Sequence, residues 1–432
     1  MRILDWNSLS RAQQCAALRR PALKDAAGVS AAARDIIERV RRDGNAALLA
    51  LTQQFDGVCL ESLAVTKQEF EAAERTLTTE QHAAIERAID NVRRFHAAQV
   101  SPPLRVETSP GVICERISVP IRAVGLYVPA GSAPLPSTAI MLAVPAALAQ
   151  CPVKVMCTAP NRTGSANPAV LVAARKAGAG EIFKVGGAQA IAAMAYGSET
   201  IPKCDKVFGP GNAYVTAAKM LVAQDAGGAA LDLPAGVTEV MVIADDEGRP
   251  EFVAADLLAQ AEHSPDAQAI LVTTHPALAA AVRGEVQRQS ARLSRALILA
   301  DSIAAMRLIV VDTLQTALDI ANAYAPEHLI LEIGEARKWL PKISTAGAVF
   351  LGHWSPETLG DYCSGPNHTL PTYGYARSYS GLSLEDFQRR ITVQELTPSG
   401  LQGLGPTAGI LAGLEGLDAH AAAVSIRLQA LQ

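Results

Sequence analysis

The sequence lacks several patterns that mark whole classes of protein. Its seven cysteines are scattered and form no Cys-x-x-Cys pair, so neither a disulfide framework nor a thiolate zinc knuckle is indicated, and a reducing compartment is expected. The net charge is -4, and no basic block favours nucleic acid as a partner. The most apolar run, residues 140–148, is too short to span a bilayer, and no signal peptide is recognisable. These absences predict a cytoplasmic protein with neither nucleic acid nor membrane as a partner.

The 432 residues suggest two to four domains, at about 150 residues per domain. The first hundred residues are predicted to be mostly helical, with capping boxes at residues 66–69 and 78–81 that mark helix starts. Residues 104–117 alternate polar and apolar side chains around Ser109-Pro-Gly111, which predicts a β-hairpin.

From Val124 onward, apolar runs alternate with glycine or proline turns and helix-length stretches, which is typical of doubly wound parallel sheets. One series has strands predicted at residues 124–128 (before Ala130-Gly-Ser), 182–185 and 207–208, and a second at 240–244, 270–272, 308–311, 329–331 and 348–351. The predicted fold is α/β, with two doubly wound, Rossmann-like α/β domains and small helical N-terminal and C-terminal tail domains. After Gly381 we predict a short helix, a strand near residues 391–396, a Gly/Pro-rich loop and a last helix from about Asp418. This tail is too small to fold alone and should pack on a partner.

Two glycine turns could approach a phosphate. Gly209-Pro-Gly211-Asn212 precedes a helix, and Gly186-Gly187-Ala-Gln189 follows a predicted strand. Such turns aim backbone N–H groups at an anion. Neither is Gly-x-Gly-x-x-Gly, and no acidic residue about 20 positions on suits a ribose, so an orthodox Rossmann dinucleotide site is not supported. A tight turn without a ligand remains the alternative.

Metal-ligand and proton-transfer residues gather in the last 180 or so residues. Gln260 and His263 are three apart, so on a helix they share one face and could converge on an ion. Asp361, in a glycine-flanked loop, would add a hard ligand. The alternatives are a structural histidine and a polar surface loop.

Glu327 and His328 follow Pro326 at the entry to a strand. Adjacent strand residues point to opposite faces, so both can serve one site only from the loop. An imidazole beside a carboxylate suits general acid/base work and water activation. A surface glutamate beside a partly buried histidine is the alternative.

The chain resembles the histidinol dehydrogenase family over nearly its whole length. The resemblance is carried by long motifs in a fixed order, which makes it highly specific: residues 125–138 (GLYVPAGSAPLPST), 186–190 (GGAQA), 209–215 (GPGNAYV), 256–263 (DLLAQAEH), 325–329 (APEHL) and 365–374 (GPNHTLPTYG).

The resemblance implies two successive NAD-dependent oxidations, from L-histidinol through L-histidinal to L-histidine. It implies one zinc per subunit that positions the substrate. The implied metal ligands are Gln260, His263, Asp361 and His420. The implied substrate contacts are these four with Thr238, His328 and Glu395. The implied NAD contacts are Tyr127, Gln189 and Asn212. His328 would be the base for the alcohol proton, and Glu327 would activate the water that hydrates the aldehyde.

The resemblance also implies a domain layout and a homodimer. The layout has an N-terminal helical segment at 1–24, a first α/β domain at 25–125 plus 237–380 with most zinc and catalytic residues, a second, NAD-binding α/β domain at 126–236, and a tail at 381–432. In the implied homodimer, Glu395 and His420 of the tail complete the neighbouring active site.

Four alternatives to this reading remain. A thiolate from Cys114, Cys151 or Cys363 could capture the aldehyde, although none has an adjacent basic partner in the sequence, and Cys363 is expected to be a spectator. A paralogue could oxidise another alcohol on the same scaffold. A zinc hydrolase could use Glu327 to activate water, although His-Glu-x-x-His is absent. A non-catalytic binding protein would not require an acid/base pair.

Overall fold

The structure is a computed structural model of the 432-residue chain. It describes residues 1–21, 26–130, 133–234 and 236–432, and for Ala26 only the backbone. The boundary expected between residues 24 and 25, and Gly131 and Ser132 of the predicted Ala130-Gly-Ser turn, lie outside the described residues. No helix in the described ranges is long and apolar enough to cross a membrane.

The bounds of the elements in the described ranges follow. The strands are β1 (Arg2–Asp5), β2 (Leu104–Ser109), β3 (Val112–Pro120), β4 (Ala123–Val128), β5 (Val153–Thr158), β6 (Glu181–Lys184), β7 (Lys206–Phe208), β8 (Ala230–Leu231), β9 (Glu239–Ala244), β10 (Gln268–Thr273), β11 (Arg307–Val310), β12 (His328–Glu332), β13 (Ala348–Leu351) and β14 (Gln388–Leu396). The helices are α1 (Arg11–Ala17), α2 (Ala26–Asp56), α3 (Lys67–Thr76), α4 (Thr79–Ala97), α5 (Pro136–Leu148), α6 (Pro168–Ala177), α7 (Gly187–Tyr196), α8 (Ala213–Gln224), α9 (Pro250–Ala261), α10 (Pro276–Ser290), α11 (Ala296–Ala305), α12 (Leu314–Tyr324), α13 (Glu357–Tyr362), α14 (Pro398–Leu414) and α15 (Asp418–Gln429).

The first parallel sheet has the strand order β6-β5-β4-β7-β8. Its strand β5 was not among the predicted runs. Helix α2 packs against α7 and α8, α3 packs against α6, and α4 packs against α5. Apolar residues of α2 share a core with β4, β5 and α7. The expected grouping of residues 25–125 with 237–380 in one domain stays a prediction. Helices α5 to α8 of the first sheet cover the apolar faces of α2, α3 and α4, so the helices within residues 26–97 pack with the first sheet.

The second parallel sheet has the order β1-β11-β10-β9-β12-β13. The N-terminal segment, expected to be helical, begins with β1, which pairs residue by residue with β11. The segment forms a strand because its backbone pairs with β11 at the edge of the sheet, where a strand has a single neighbour. Both sheets confirm the predicted α/β class, and the five strands predicted in the second series are all present as β9 to β13.

The tail joins a third, antiparallel sheet of order β14-β3-β2. Its β14 pairs over nine positions with β3 of the predicted hairpin. The prediction of a Gly/Pro-rich loop was wrong, because those residues form helix α14. Pro398 occupies the first turn, where its missing N–H costs nothing, and a Cβ on Gly405 would lie 3.0 Å from Val424 Cγ1 of α15. The glycine lets the two helices pack closely.

Side-chain caps begin several helices as the sequence predicts. Thr66 and Thr78 form capping boxes with Glu69 and Gln81, which satisfies N–H groups that would otherwise lack partners. Cap chemistry is local, so the sequence is sufficient to predict it.

Candidate active site

The candidate site forms where β9 and β12 begin. These strands are parallel neighbours, with His328 opposite Val240. Thr238 directly precedes β9, and Glu327 directly precedes β12. Because both strands enter the sheet in one direction, their first residues meet at one edge. Helix α9 ends at the same edge, where Gln260 contacts Thr238.

The side chains of Glu327 and His328 lie close together, although only Glu327 precedes the strand and His328 is the first residue of β12. Glu327 Oε2 lies 3.7 Å from His328 Nδ1. The same oxygen accepts hydrogen bonds from Thr238 Oγ1 at 2.6 Å and from the Glu239 N–H at 2.8 Å. Burial nevertheless raises the pKa of Glu327 to about 7. This carboxyl group can therefore change charge near neutral pH.

His328 is buried, and its two ring nitrogens face different partners. Nδ1 lies 3.1 Å from the Glu239 carbonyl oxygen, so a proton on Nδ1 donates there and leaves the lone pair on Nε2. Nε2 is buried without a hydrogen bond among the described residues and lies 3.4 Å from Asp361 Oδ1. Burial lowers the pKa of His328, but Glu357, Glu327 and Asp361 outweigh it and hold that pKa above its ordinary value.

Glu357 is a site residue that sequence reasoning missed. It is 1% exposed, and its Oε1 lies 3.8 Å from His328 Nδ1. Burial raises its pKa well above the ordinary value. Asp361, four residues later, lies on the same short helix α13 and not in the expected loop. The i, i+4 spacing of two acidic residues could have indicated a shared helical face.

Gln260 links the two halves of the cluster. It is fully buried, and its Nε2 donates to Thr238 Oγ1 at 2.5 Å. The reversed amide orientation places the nitrogen 3.0 Å from Glu357 Oε1 and the oxygen beside Thr238. In the first orientation the Thr238 hydroxyl accepts from Gln260 and donates its proton to Glu327, whereas in the reversed orientation it donates to Gln260.

His263 lies just beyond the end of α9, which stops at Ala261. His263 was expected on the helix and lies instead in the turn that follows it, where its N–H donates to the Gln260 carbonyl at 3.3 Å. The convergence of the Gln260 and His263 side chains on one ion stays a prediction. The His263 side chain is accessible to solvent, while the protein around it lowers its pKa by desolvation, against the opposing charge of Asp361. His263 lies at the mouth of the site.

The cluster has the composition of a metal site. Donor atoms of His328, Glu357 and Asp361 lie within 4.8 Å of one another. Imidazole and carboxylate groups are ligands that zinc accepts. The surplus of buried acidic groups over imidazoles around Asp361 favours a bound cation. The residues present therefore fit a divalent metal.

A second group of predicted residues lies at the carboxyl ends of the first sheet. The buried Tyr127 hydroxyl accepts a 3.0 Å hydrogen bond from the Gly187 N–H, and burial raises the pKa of Tyr127 to about 12. Gln189 is buried in the first turn of α7. Asn212 caps α8, accepting from the N–H groups of Tyr214 and Val215.

The backbone of the Gly209 turn passes close to the backbone of Tyr127, which leaves no room for a side chain at Gly209. Its φ is +119°, and a Cβ there would lie 2.1 Å from the Tyr127 carbonyl oxygen. Two residues that sequence reasoning missed hold the turn: the Gly209 N–H donates to Asp232 Oδ2 and Lys219 Nζ donates to the Gly209 carbonyl, both at 2.8 Å. Asp232 and Lys219 also form a buried ion pair. Two helix starts and a fixed glycine turn can cradle a phosphate.

Hydrogen bonds connect the two groups. His368 Nδ1 lies 2.8 Å from the Asp361 carbonyl oxygen, and its Nε2 lies 3.2 Å from Thr138 Oγ1 of α5. Asn367 Nδ2 donates to the Met141 carbonyl of α5 at 2.7 Å. Helix α5 follows β4, which carries Tyr127, so the segment after α13 fastens the β9–β12 edge to the first sheet.

Glu395 and His420 lie apart from this cluster. Both are exposed, Glu395 on β14 and His420 on α15. Among the described residues, neither hydrogen-bonds with the cluster at β9 and β12. The helices beside them expose large apolar side chains: Leu404, Ile410, Leu411, Leu414 and Ile426. The tail thus presents an apolar surface together with these two polar residues.

The cysteines considered as nucleophiles are placed unfavourably. Burial raises the pKa of the Cys151 thiol to about 11, which disfavours a thiolate. Cys114 lies on β3 in the antiparallel sheet, opposite Gln394. Cys363 follows α13, and its carbonyl accepts from Asn91. These positions give the thiolate alternative no support.

Comparison with known proteins gives full-length matches. The family model described as histidinol dehydrogenase matches residues 18–428. A histidinol dehydrogenase from Xanthomonas axonopodis pv. citri is 55% identical over 428 residues, 99% of each chain. One from Vibrio parahaemolyticus is 51% identical over 431 residues, 100% of this chain and 99% of the relative. The crystal structure of histidinol dehydrogenase from Elizabethkingia anophelis superposes with a TM-score of 0.94 at 44% identity, covering 100% of this chain and 98% of that one.

Proposed function

The chain belongs to the histidinol dehydrogenase family of oxidoreductases, and we propose that it catalyses the zinc-dependent, NAD-linked four-electron oxidation of L-histidinol to L-histidine through L-histidinal, the final step of histidine biosynthesis. The observation that carries the proposal is the buried contact of Glu327 with His328, beside Asp361 and Gln260. An acid/base pair next to metal ligands is what successive oxidation of an alcohol and a hydrated aldehyde requires.

His328 acts as the base for the alcohol proton. Its Nδ1 proton donates to the Glu239 carbonyl, so Nε2 carries the lone pair that accepts the proton. The neighbouring carboxylates of Glu357 and Glu327 stabilise the imidazolium that results. In the second oxidation, His328 accepts the hydroxyl proton of the hydrated aldehyde in the same way.

Glu327 activates the water that adds to the aldehyde. In its ionised form, the carboxylate accepts hydrogen bonds from Thr238 and the Glu239 N–H through one oxygen, which leaves the other oxygen available to a water molecule. Because its pKa is about 7, it can take up the proton of that water at neutral pH.

Gln260, His263 and Asp361, with a His420 supplied by a second copy of the chain, would hold one zinc ion per subunit. When bound, zinc supplies a Lewis acid that anchors the nitrogen donors of the substrate. Thr238 and Glu395 would contact the substrate as well. The positive charge would also offset the carboxylates that raise the pKa of His328 and leave its Nε2 free to act as a base.

Tyr127, Gln189 and Asn212 would bind NAD, the hydride acceptor. The starts of α7 and α8 lie beside these residues, and the positive end of each helix dipole favours the cofactor's phosphates. The segment that contains His368 and Asn367 connects these residues' sheet with the cluster at β9 and β12. Two successive oxidations require the cofactor to exchange while the substrate stays bound.

A homodimer completes the proposed site. The exposed apolar side chains of α14 and α15 need a covering surface, and a second copy of the chain would bury them while bringing Glu395 and His420 to the neighbouring cluster. We place the protein in the cytoplasm, in keeping with its seven unpaired cysteines.

The test is the NADH produced per L-histidinol consumed by the purified protein, with and without a chelator. We expect two NADH per substrate, activity abolished by chelation and restored by zinc. The absence of NADH from histidinol, with zinc still bound, would instead favour a paralogue with another alcohol substrate.

A further inference from the structure

The start of the second sheet contains a buried ion pair that the proposed chemistry does not use directly. Arg20, in the segment between α1 and α2, pairs with Glu239, the first residue of β9. The Glu239 side chain is fully buried and that of Arg20 is 14% exposed. Arg20 Nη2 lies 2.8 Å from Glu239 Oε2, and its Nε donates to Glu239 Oε1. The planar guanidinium matches the carboxylate with two hydrogen bonds.

Arg20 also holds the chain that leads into the catalytic pair. Its Nη2 donates to the carbonyl of Tyr324 at 2.9 Å and to that of Ala325 at 3.2 Å, and its guanidinium packs 3.8 Å from the centre of the Tyr324 ring. Ala325 has a φ of +54°, a left-handed conformation that costs energy for a residue with a Cβ. Glu327 follows two residues later.

Glu239 in turn contacts both proposed catalytic residues through its backbone. Its N–H donates to Glu327 Oε2 at 2.8 Å, and its carbonyl lies 3.1 Å from His328 Nδ1. One residue thus orients the carboxylate and selects the tautomer of the imidazole. Its own side chain is held by Arg20 and by the Tyr373 N–H at 3.2 Å.

We propose that Arg20 is a positioning residue that clamps the starts of β9 and β12, and thereby sets the geometry of Glu327 and His328. The segment that carries Arg20 is itself anchored on the second sheet, since Arg307 Nη2 donates to the Arg19 carbonyl at 3.0 Å and β1 pairs with β11. Arg20 touches no reacting atom and acts through Glu239. The proposal rests on the proposed function for its kinetic readout.

The test compares Arg20→Met and Arg20→Lys with Arg288→Met, which removes an arginine of an exposed ion pair with Glu285 on α10. We expect Arg20→Met to lower kcat about 100-fold while the KM for NAD changes by less than about two-fold, because misplaced catalytic groups affect the chemical step. Arg20→Lys should recover part of kcat, since one ammonium can pair with Glu239 but cannot also hold both carbonyls. Arg288→Met should behave as wild type.

A wild-type kcat in folded Arg20→Met, or a loss confined to thermal stability, would overturn the proposal. If the methionine variant does not fold, full activity of Arg20→Lys overturns it. A crystal structure of Arg20→Lys gives an answer that is independent of substrate: we expect His328 to move relative to the Glu239 carbonyl, and unchanged positions of Glu327 and His328 would contradict the clamp. Inactive wild type with histidinol would refute the proposed function alone.

Discussion

At the scale of single residues, Glu327 and His328 divide their work through the atoms that surround them. Glu327 is held by two donors on one oxygen, whereas His328 is held on Nδ1 and free on Nε2. Deprotonation of an alcohol needs the free imidazole nitrogen. Hydration of an aldehyde needs a carboxylate that can take a proton near neutral pH.

This division predicts different behaviour for two variants. We expect His328→Asn to block both oxidations, because no base remains for either proton. Glu327→Gln should spare formation of the aldehyde more than its hydration, so that NADH per histidinol falls from two towards one. In the wild type, the aldehyde step should rise with pH through about 7, as Glu327 ionises, and the glutamine variant should lose this dependence. Separate assays with histidinol and histidinal measure each step, and equal loss of both in Glu327→Gln would contradict the assignment.

At the scale of elements, α9 carries a buried carboxyl group whose ionisation destabilises the folded state. Asp256, one helical turn before Gln260, is 7% exposed, and burial, with a contribution from Glu332, raises its pKa from 3.8 to about 7. The folded state therefore binds a proton between about pH 4 and pH 7 that the unfolded state releases. Stability falls as the pH rises through this window, and the full cost is present above pH 7.

Asp256→Asn should remove that cost. We expect the variant to unfold at a higher temperature than the wild type at pH 8, with a gain of at most about 4 kcal/mol, and to show little difference at pH 4. Asp301→Asn, at an exposed position on α11, serves as the control. Thermal unfolding followed at both pH values makes the comparison, and an equal effect of Asp256→Asn at pH 4 and pH 8 would rule out titration as its cause.

How far the sequence predicts the structure depends on whether an element is determined locally. The capping boxes at Thr66 and Thr78 and the strands of the second sheet were confirmed because side-chain caps and apolar runs act over a few neighbouring residues. The α14 helix was missed because it carries several glycines, and the packing that explains two of them is with distant segments: Gly400 lies against Gly111, and Gly405 lies against α15. Arg20 was missed because its partner Glu239 lies 219 residues away in sequence, whereas the i, i+4 spacing of Glu357 and Asp361 was a local signal that could have been used. The meeting of Glu327, His328 and Gln260 at one edge was predictable only through the family resemblance.

At the scale of the whole molecule, we propose that the active site is formed by two chains. The cluster at β9 and β12 lies in the body of one chain, whereas Glu395 and His420 lie exposed on its tail. A chain with a damaged tail and a chain with a damaged cluster therefore have complementary defects.

Mixing such chains tests the arrangement. His420→Asn and His328→Asn should each be nearly inactive alone. Co-expressed in equal amounts and assembled at random, they should recover about one quarter of the wild-type sites, because half of the dimers are mixed and each mixed dimer has one intact site. Turnover per subunit measures the recovery. The control is a dimer in which both chains carry both substitutions, and it should be inactive. If the mixed sample is no more active than the sum of the separate variants, each chain completes its own site.

The hydrogen bonds that fasten residues 367 and 368 to α5 also bear on how this enzyme could evolve a new substrate preference. A shift of the segment that follows Asp361 would break or strain its hydrogen bonds to Thr138 and Met141, which lie on the helix that follows Tyr127. A mutation that reshapes the alcohol pocket from this segment therefore also disturbs the cofactor side. Lineages that acquire a different alcohol should carry paired changes in the segment and in α5, and ancestors with only one of the two should bind cofactor less well.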